Sequence, residues 1–389
     1  MRILWASPLP PVRSGVADYA VELLPELSKL SDVRVVSDPS GEGPRPGSSL
    51  CGCPVVSADA APLSGEIQLV HLGNNPYHVW LLDRLEIAGT VAVVHDAVLH
   101  HLLVEATLAR GDGKRFEERL LAAHPEAEPL VRGRRFSLIG PRDPFLFPAR
   151  RAYLGSAAGV IVHSRWAELA VRRDLPELPV ANVSLPVADP GVVDRDQVRR
   201  QLNVVRDTLL VMHLGFLTPQ KGLQDLLTAV AVTKRQGVPV RLLMVGEGHA
   251  GDALARAILQ LGLEDTVGFT GWVPAESFPA VPAAADLGVV LRTPSAGETS
   301  AAALRFLACG TPVAVSAVRQ YLELPAEVAL RVTPGPSAPA DLARILSSAW
   351  QAREAWHRRR TAARQFYTTG HTPAIAAGQL VSAIGRLTA

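Results

Sequence analysis

Short apolar runs recur along this chain, each closed by a glycine-bearing or polar loop and most followed by a helical pattern. Residues 3–6, 33–36, 67–72, 91–94, 158–163 and 180–186 form one series. After Asp189-Pro190-Gly191 a second series begins, at 208–214, 240–245, 267–270, 287–291 and 312–315. Parallel strands need a crossover, usually a helix, so the alternation predicts parallel α/β sheets covered on both faces. A chain of 389 residues also exceeds what one core ordinarily organises. The expectation is two Rossmann-like, doubly wound domains facing across a cleft, at 1–187 and 200–369. Ligand loops are then expected at the carboxyl ends of the strands.

Composition narrows the class. A 48% hydrophobic fraction with 20% charge excludes a disordered chain. The net charge of +2 supplies no field to gather nucleic acid, so no such partner is expected. Cys51, Cys53 and Cys309 are too few for a disulfide framework, which points to a reducing, cytoplasmic setting. Cys51-Gly52-Cys53 lacks the partners of a structural zinc site. The opening MRILWASPLPPVRSG breaks at its prolines and reads as a strand, not a signal peptide. No run approaches the ~18 apolar residues of a membrane span. Peripheral contact with the inner face of the membrane remains compatible. Residues 102–151 read as helical, and Arg132, Arg134, Arg135, Arg142, Arg150 and Arg151 fall there. They fit a solvated, salt-bridged face, or a surface for an anionic acceptor or a membrane.

The loops carry the chemistry. Gly15 follows the first strand and suits a close backbone approach to a ligand, or simply a turn. That loop lacks the three-glycine dinucleotide fingerprint, which argues against a nicotinamide enzyme. Asn74 and His95-Asp96 end two further strands. In HDAVLHH the adjacent His100 and His101 point apart on a helix, so no metal site is assigned. In the second series, Lys221 supplies a compact cation for phosphate oxygens, with Gly222 behind it. Gly246–Gly248 closes the next strand. Trp272 either joins the core or flanks a base. The stretch 292–315 then places Glu298, Thr299 and Ser300 before an alanine-rich helix that starts near Thr299 and ends at Cys309. A helix N-terminus of this kind favours phosphate and sugar hydroxyls, though Glu298 is also at home there as a structural carboxylate.

GFLTPQKG, VGEG, VGFTGWVP and RTPSAGETSAAALRFLACGTPVAVS, in that order, resemble the carboxyl-terminal half of glycosyltransferase family 4, which has the GT-B fold. SPLPPVRSGVADYAVELLPEL, HLGNNPYHVW, VVHDAVLHHLL and VIVHSRWA are similar to a bacterial branch of that family. The resemblance implies retaining transfer from a nucleotide-diphospho-sugar, of UDP or GDP type, without a cofactor or metal. It implies a glycan, lipid-linked or small-molecule acceptor, and a last helix, about 370–389, packing back on the first domain.

Residue by residue, the resemblance places Lys221 and Gly15 at the diphosphate, His95 beside the donor sugar, and Trp272 and Val273 beside the nucleobase. Gly246, Thr299 and Ser300 complete the donor side; Asn74 and Asp96 fall on the acceptor side. The chain departs from the family at three positions. Phe216 stands where the family has an arginine. Aligned on ACGTPV, the family's two glutamates fall on Gly297 and Arg305. Glu298 can take the first place by a one-residue shift, and acts with His95 at the reacting sugar. Arg305 is only a donor, so it would serve phosphate and not ribose hydroxyls. Two other readings follow from these departures: a catalytically silent GT-B protein, and a sugar-nucleotide isomerase, for which acid and base residues are too few.

Overall fold

The computed structural model describes residues 1–133, 143–247 and 251–388. Arg134, Arg135, Arg142 and Gly248, as well as the side chain of Arg132, lie outside the described residues. The chain divides into two units. The first comprises Met1–Pro186, Ala296–Thr299 and Pro373–Ala389; the second comprises Val187–Ser295 and Ser300–Thr372.

The first unit is built on strands β1 (Arg2–Ala6), β2 (Asp32–Val36), β3 (Ser49–Leu50), β4 (Cys53–Val56), β5 (Glu66–Leu72), β6 (Val91–Val94), β7 (Gly159–Val162) and β8 (Val180–Asn182). They lie in the order β3-β4-β2-β1-β5-β6-β7-β8, parallel except for the β3–β4 pair. Ile3, Leu4, Trp5 and Ala6 are all fully buried, as a strand covered on both faces must be. Ser14 caps the helix Gly15–Leu27 by accepting from the Ala17 N–H at 3.1 Å. The helix Pro373–Leu387 packs against that first helix and lies in the same unit.

Residues 49–56 lie outside the expected apolar runs, yet they form the β3–β4 hairpin. Its two-residue turn has Cys51 at φ 52° and Gly52 at φ 82°, the backbone of a twist-matched hairpin turn. Residues 102–151, read as helical, are so in short pieces among the described residues. They break into His100–Ala106, Gly113–Ala123, Glu128–Gly133 and shorter turns, with Gly111 at φ 79° and Asp112 capping the second helix.

The second unit holds β9 (Leu209–Leu214), β10 (Val240–Val245), β11 (Val267–Gly271), β12 (Leu287–Val290), β13 (Val313–Ser316) and β14 (Ala329–Val332). Their order is β11-β10-β9-β12-β13-β14, all parallel. Chain order reverses between β9 and β12, the switch point at which such sheets present ligands. The edge strand β14 is not among the expected runs, because only its first and last residues are buried. The helices Leu223–Arg235 and Ala338–Gln351 pack together on one face of the core. Among the described residues, no helix is long and apolar enough to cross a membrane.

Candidate functional site

At the carboxyl edge of the first sheet, imidazoles gather where β5, β6 and β7 end. His71 is fully buried, with the Trp5 ring centroid 3.9 Å away. Its Nδ1 lies 3.1 Å from Nε2 of His95. The His95 ring lies 5.0 Å from that of His163 and meets Tyr19 edge-on at 4.8 Å. Burial, and then the neighbouring imidazoles, hold both His71 and His95 well below the ordinary histidine range, so the pair is neutral. One N–H must therefore lie between them. Nε2 of His71 is buried with no hydrogen-bond partner among the described residues, and an orphaned N–H there would cost more than an orphaned lone pair. We assign the proton to His71 Nδ1, donating to His95 Nε2. His95 then keeps its own proton on Nδ1, the nitrogen left for a ligand.

Below this pair, His78 Nδ1 donates to the His71 carbonyl at 2.9 Å, and burial pushes its pKa down to about 4. Among the described residues, no three His, Cys, Asp or Glu side chains converge as metal ligands.

Asn74 and Asp96 are engaged in building the wall of this edge. The Asn74 N–H donates to Asp96 Oδ2 at 2.8 Å. Its side-chain oxygen accepts from the N–H groups of His101 and Leu102, at 2.8 and 3.1 Å, and its amide nitrogen lies 2.8 Å from His101 Nδ1. Asn74 thus caps the helix His100–Ala106 from another loop. His100 turns away from His101, its Nδ1 donating to the Phe147 carbonyl at 2.7 Å.

The loop Ala296–Thr299 belongs to this first unit. The Val98 N–H donates to the Ala296 carbonyl at 3.0 Å, and Thr299 Oγ1 donates to the His163 carbonyl at 2.9 Å. Between them Gly297, at φ 79°, lies so close that a Cβ would fall 2.2 Å from the Trp166 ring and 3.0 Å from Ala97. No side chain fits there. Glu298 is partly buried beside it. Ser300 caps the helix Ala301–Ala308, accepting from the Ala303 N–H at 3.2 Å. Both hydroxyls expected on the donor side therefore have structural work within the protein. Gly15 differs: among the described residues no other part of the fold comes within 4 Å of where its Cβ would be, so packing does not require glycine there.

In the second unit three loops converge. A Cβ at Gly215 would lie 2.8 Å from Lys221 Nζ, and one at Gly246 would lie 2.8 Å from the Gly215 carbonyl oxygen. Both glycines have positive φ, 98° at Gly215 and 132° at Gly246, a backbone that other residues rarely adopt. The Leu217 N–H reaches the Glu247 carbonyl at 3.3 Å, and the Thr293 N–H reaches that of Gln220 at 2.8 Å. Under the loop, burial and then the Lys221 charge press the His213 pKa down to about 3. A cavity of about 710 Å3 opens beside it, lined by Leu217, Thr218, Gly222, Asp225, Thr293 and Ser316 among others. That volume suits a small-molecule ligand.

Trp272 is half exposed, which settles the choice against a core role, and Val273 is partly buried beside it. Phe216 is also exposed. Arg305 is buried at 6% exposure, its guanidinium 5.2 Å from the Phe278 ring centroid. The sequence carried no sign of the buried His71 or the partly buried Trp166 as packing partners.

Two parallel-sheet α/β units with their ligand loops at the carboxyl edges give this chain the GT-B glycosyltransferase fold. The structure of Anabaena Alr3699/HepE in complex with UDP-glucose matches it with a TM-score of 0.68 at 18% identity, over 99% of this chain and 100% of that one. Residues 194–366 match the family model of glycosyl transferases group 1. The 2-deoxystreptamine glucosyltransferase of Streptomyces kanamyceticus is 32% identical over 138 residues, 35% of each chain. The GDP-mannose-dependent alpha-(1-6)-phosphatidylinositol monomannoside mannosyltransferase of Mycolicibacterium smegmatis is 35% identical over 112 residues, 28% of this chain and 29% of that protein. These matches span about a third of the length of the curated relatives.

Proposed function

We propose that this protein is a glycosyltransferase that moves a sugar from a nucleotide-diphospho-sugar to an acceptor hydroxyl, with retention and without a metal. The observation that carries the reading is the convergence of Lys221 Nζ, Gly215 and Gly246 at the carboxyl edge of the second sheet, inside the matched segment. Backbone stripped of side chains beside an ammonium suits a cradle for diphosphate. Charge developing on the leaving nucleoside diphosphate would be stabilised there in the transition state. On the first unit, Glu298 orients hydroxyls of the donor sugar, and His95 offers the Nδ1–H as a donor. A neutral imidazole held as a donor suits binding a sugar or phosphate oxygen better than abstracting a proton. Relatives named for UDP-sugar and GDP-mannose support a donor of UDP or GDP type, with a glycan, lipid-linked or small-molecule acceptor. Bacterial glycan or glycoconjugate synthesis on the cytoplasmic side, with peripheral membrane contact, fits that chemistry.

A silent, nucleotide-binding protein is the second reading, favoured by Phe216 at a family cation position and by Arg305 lying under Phe278. The test is a panel of UDP-, GDP-, ADP- and TDP-sugars, followed by thermal shift and by nucleotide released with and without candidate acceptors. Acceptor-dependent release from one donor, weakened at least tenfold in binding by Lys221→Ala, is the expected result. Binding without turnover under every acceptor would leave the silent protein; interconversion of nucleotide sugars without release would indicate an isomerase.

A further inference from the structure

The opposite, amino edge of the second sheet carries chemistry that sugar transfer does not use. A groove of about 720 Å3 lies there, and six arginines line it. Arg195, Arg199 and Arg360 surround one carboxylate, Asp286. Its Oδ1 accepts from Arg195, and its Oδ2 accepts from Arg199 at 3.3 Å and from the Leu210 N–H at 2.8 Å. For Arg360 the hydrogen-bond partner among the described residues is the neutral Ala285 carbonyl at 3.0 Å. Burial, and then the charge of Arg195, push the Arg360 pKa down to about 10. Three guanidiniums thus share one carboxylate, and the local charge is not closed from within.

Structural duty explains part of this group. Arg195 and Arg199 also hold the carbonyls of Ala283, Ala284, Val205 and Thr208. It does not explain the rim. Arg200 is 70% exposed and reaches only Asp194, at 3.9 Å. Arg353 lies over the Trp350 ring at 4.9 Å, and Arg206 makes no hydrogen bond or ion pair among the described residues. Asp196 and Asp207 are the other carboxylates of the groove, leaving arginine in a two-to-one excess over six and three.

We propose that this groove binds a diphosphate or polyphosphate group. Guanidinium forks donate two parallel N–H bonds to phosphate oxygens, and an anion here would close the charge that Asp286 leaves open. The site is separate from the Lys221 cradle. Leu209 begins β9 whereas Gly215 follows its last residue, so the two edges stand roughly 20 Å apart along the strand. It is also independent of the proposed transfer reaction. Trp350 and Trp356 line the groove, the latter donating from Nε1 to the Asp286 carbonyl at 2.7 Å, and they supply an optical signal.

The experiment titrates inorganic pyrophosphate into the full chain carrying Lys221→Ala, which weakens any binding at the other edge, while tryptophan fluorescence and thermal shift are followed. Saturable binding is expected, weakened by added NaCl. Combining Arg200→Ala, Arg206→Ala and Arg353→Ala should weaken it at least tenfold with little change in the ligand-free melting temperature. Arg206→Ala alone, at an exposed position, covers the case in which the triple variant does not fold. Phosphatidylcholine vesicles with and without diacylglycerol pyrophosphate form a second arm. Rim-dependent sedimentation with the anionic vesicles alone assigns the phosphate to a lipid headgroup; rim-dependent pyrophosphate binding assigns it to a soluble ligand. Binding that ignores the rim substitutions, or no binding in either arm, overturns the proposal.

Discussion

Gly297 shows how one residue can redirect a motif. The resemblance would put a glutamate at this position, yet a Cβ here would overlap the Trp166 ring at 2.2 Å, on a backbone of φ 79°. The adjacent carboxylate is that of Glu298, which is partly buried. Gly297→Ala should cost about 2 kcal/mol or more in urea denaturation, from collision and left-handed strain together. In a Trp166→Ala background the strain and the 3.0 Å approach to Ala97 should remain, about 1 kcal/mol. An equal cost in both backgrounds would mean that the ring is not the obstacle. His71 poses a different question, since it acts on His95 through a single N–H. His71→Phe keeps a ring against Trp5 and removes that donor. Nitrogen NMR of the His95 ring should then change from one tautomer, protonated at Nδ1, to a mixture; an unchanged spectrum would refute the assignment. Neither Trp166 nor His71 was legible as a partner, because sequence distance hides packing.

Among the elements, the helix His100–Ala106 is the informative case. Leu99, at its N-cap position, gives no side-chain cap, and Asn74 from the loop after β5 supplies the acceptor. Asn74→Ala should destabilise the protein by about 1 kcal/mol, with amide exchange accelerating first at His101 and Leu102. Uniformly faster exchange, without local preference, would argue against this cap. The apolar runs forecast most strands because fully buried parallel strands must be continuous in apolar character. The same rule failed for β14, which shows solvent half its length, and for the short β3–β4 hairpin, whose turn outweighs its apolar content.

At the scale of the whole molecule, buried histidines set the response to acid. His71 and His95 titrate well below the ordinary range, His78 at about 4 and His213 at about 3. Their folded pKa values lie below the unfolded value of 6.5, so below that pH the unfolded chain binds more protons. Stability is therefore complete above pH 6.5 and is lost as pH falls through it, by about 2 kcal/mol per buried histidine at pH 5. Urea denaturation between pH 7 and 5 should show this slope, and His78→Leu should reduce it by one proton; a flat profile would disprove it. The apolar periodicity determined, by itself, that this chain forms two parallel α/β units, since hydrophobic burial at strand and helix spacing is a local property. Which imidazole holds which, why position 297 must be glycine, and where arginines outnumber their carboxylates were decided only by tertiary structure. Those facts depend on close contacts and shared charge between residues that the sequence keeps far apart.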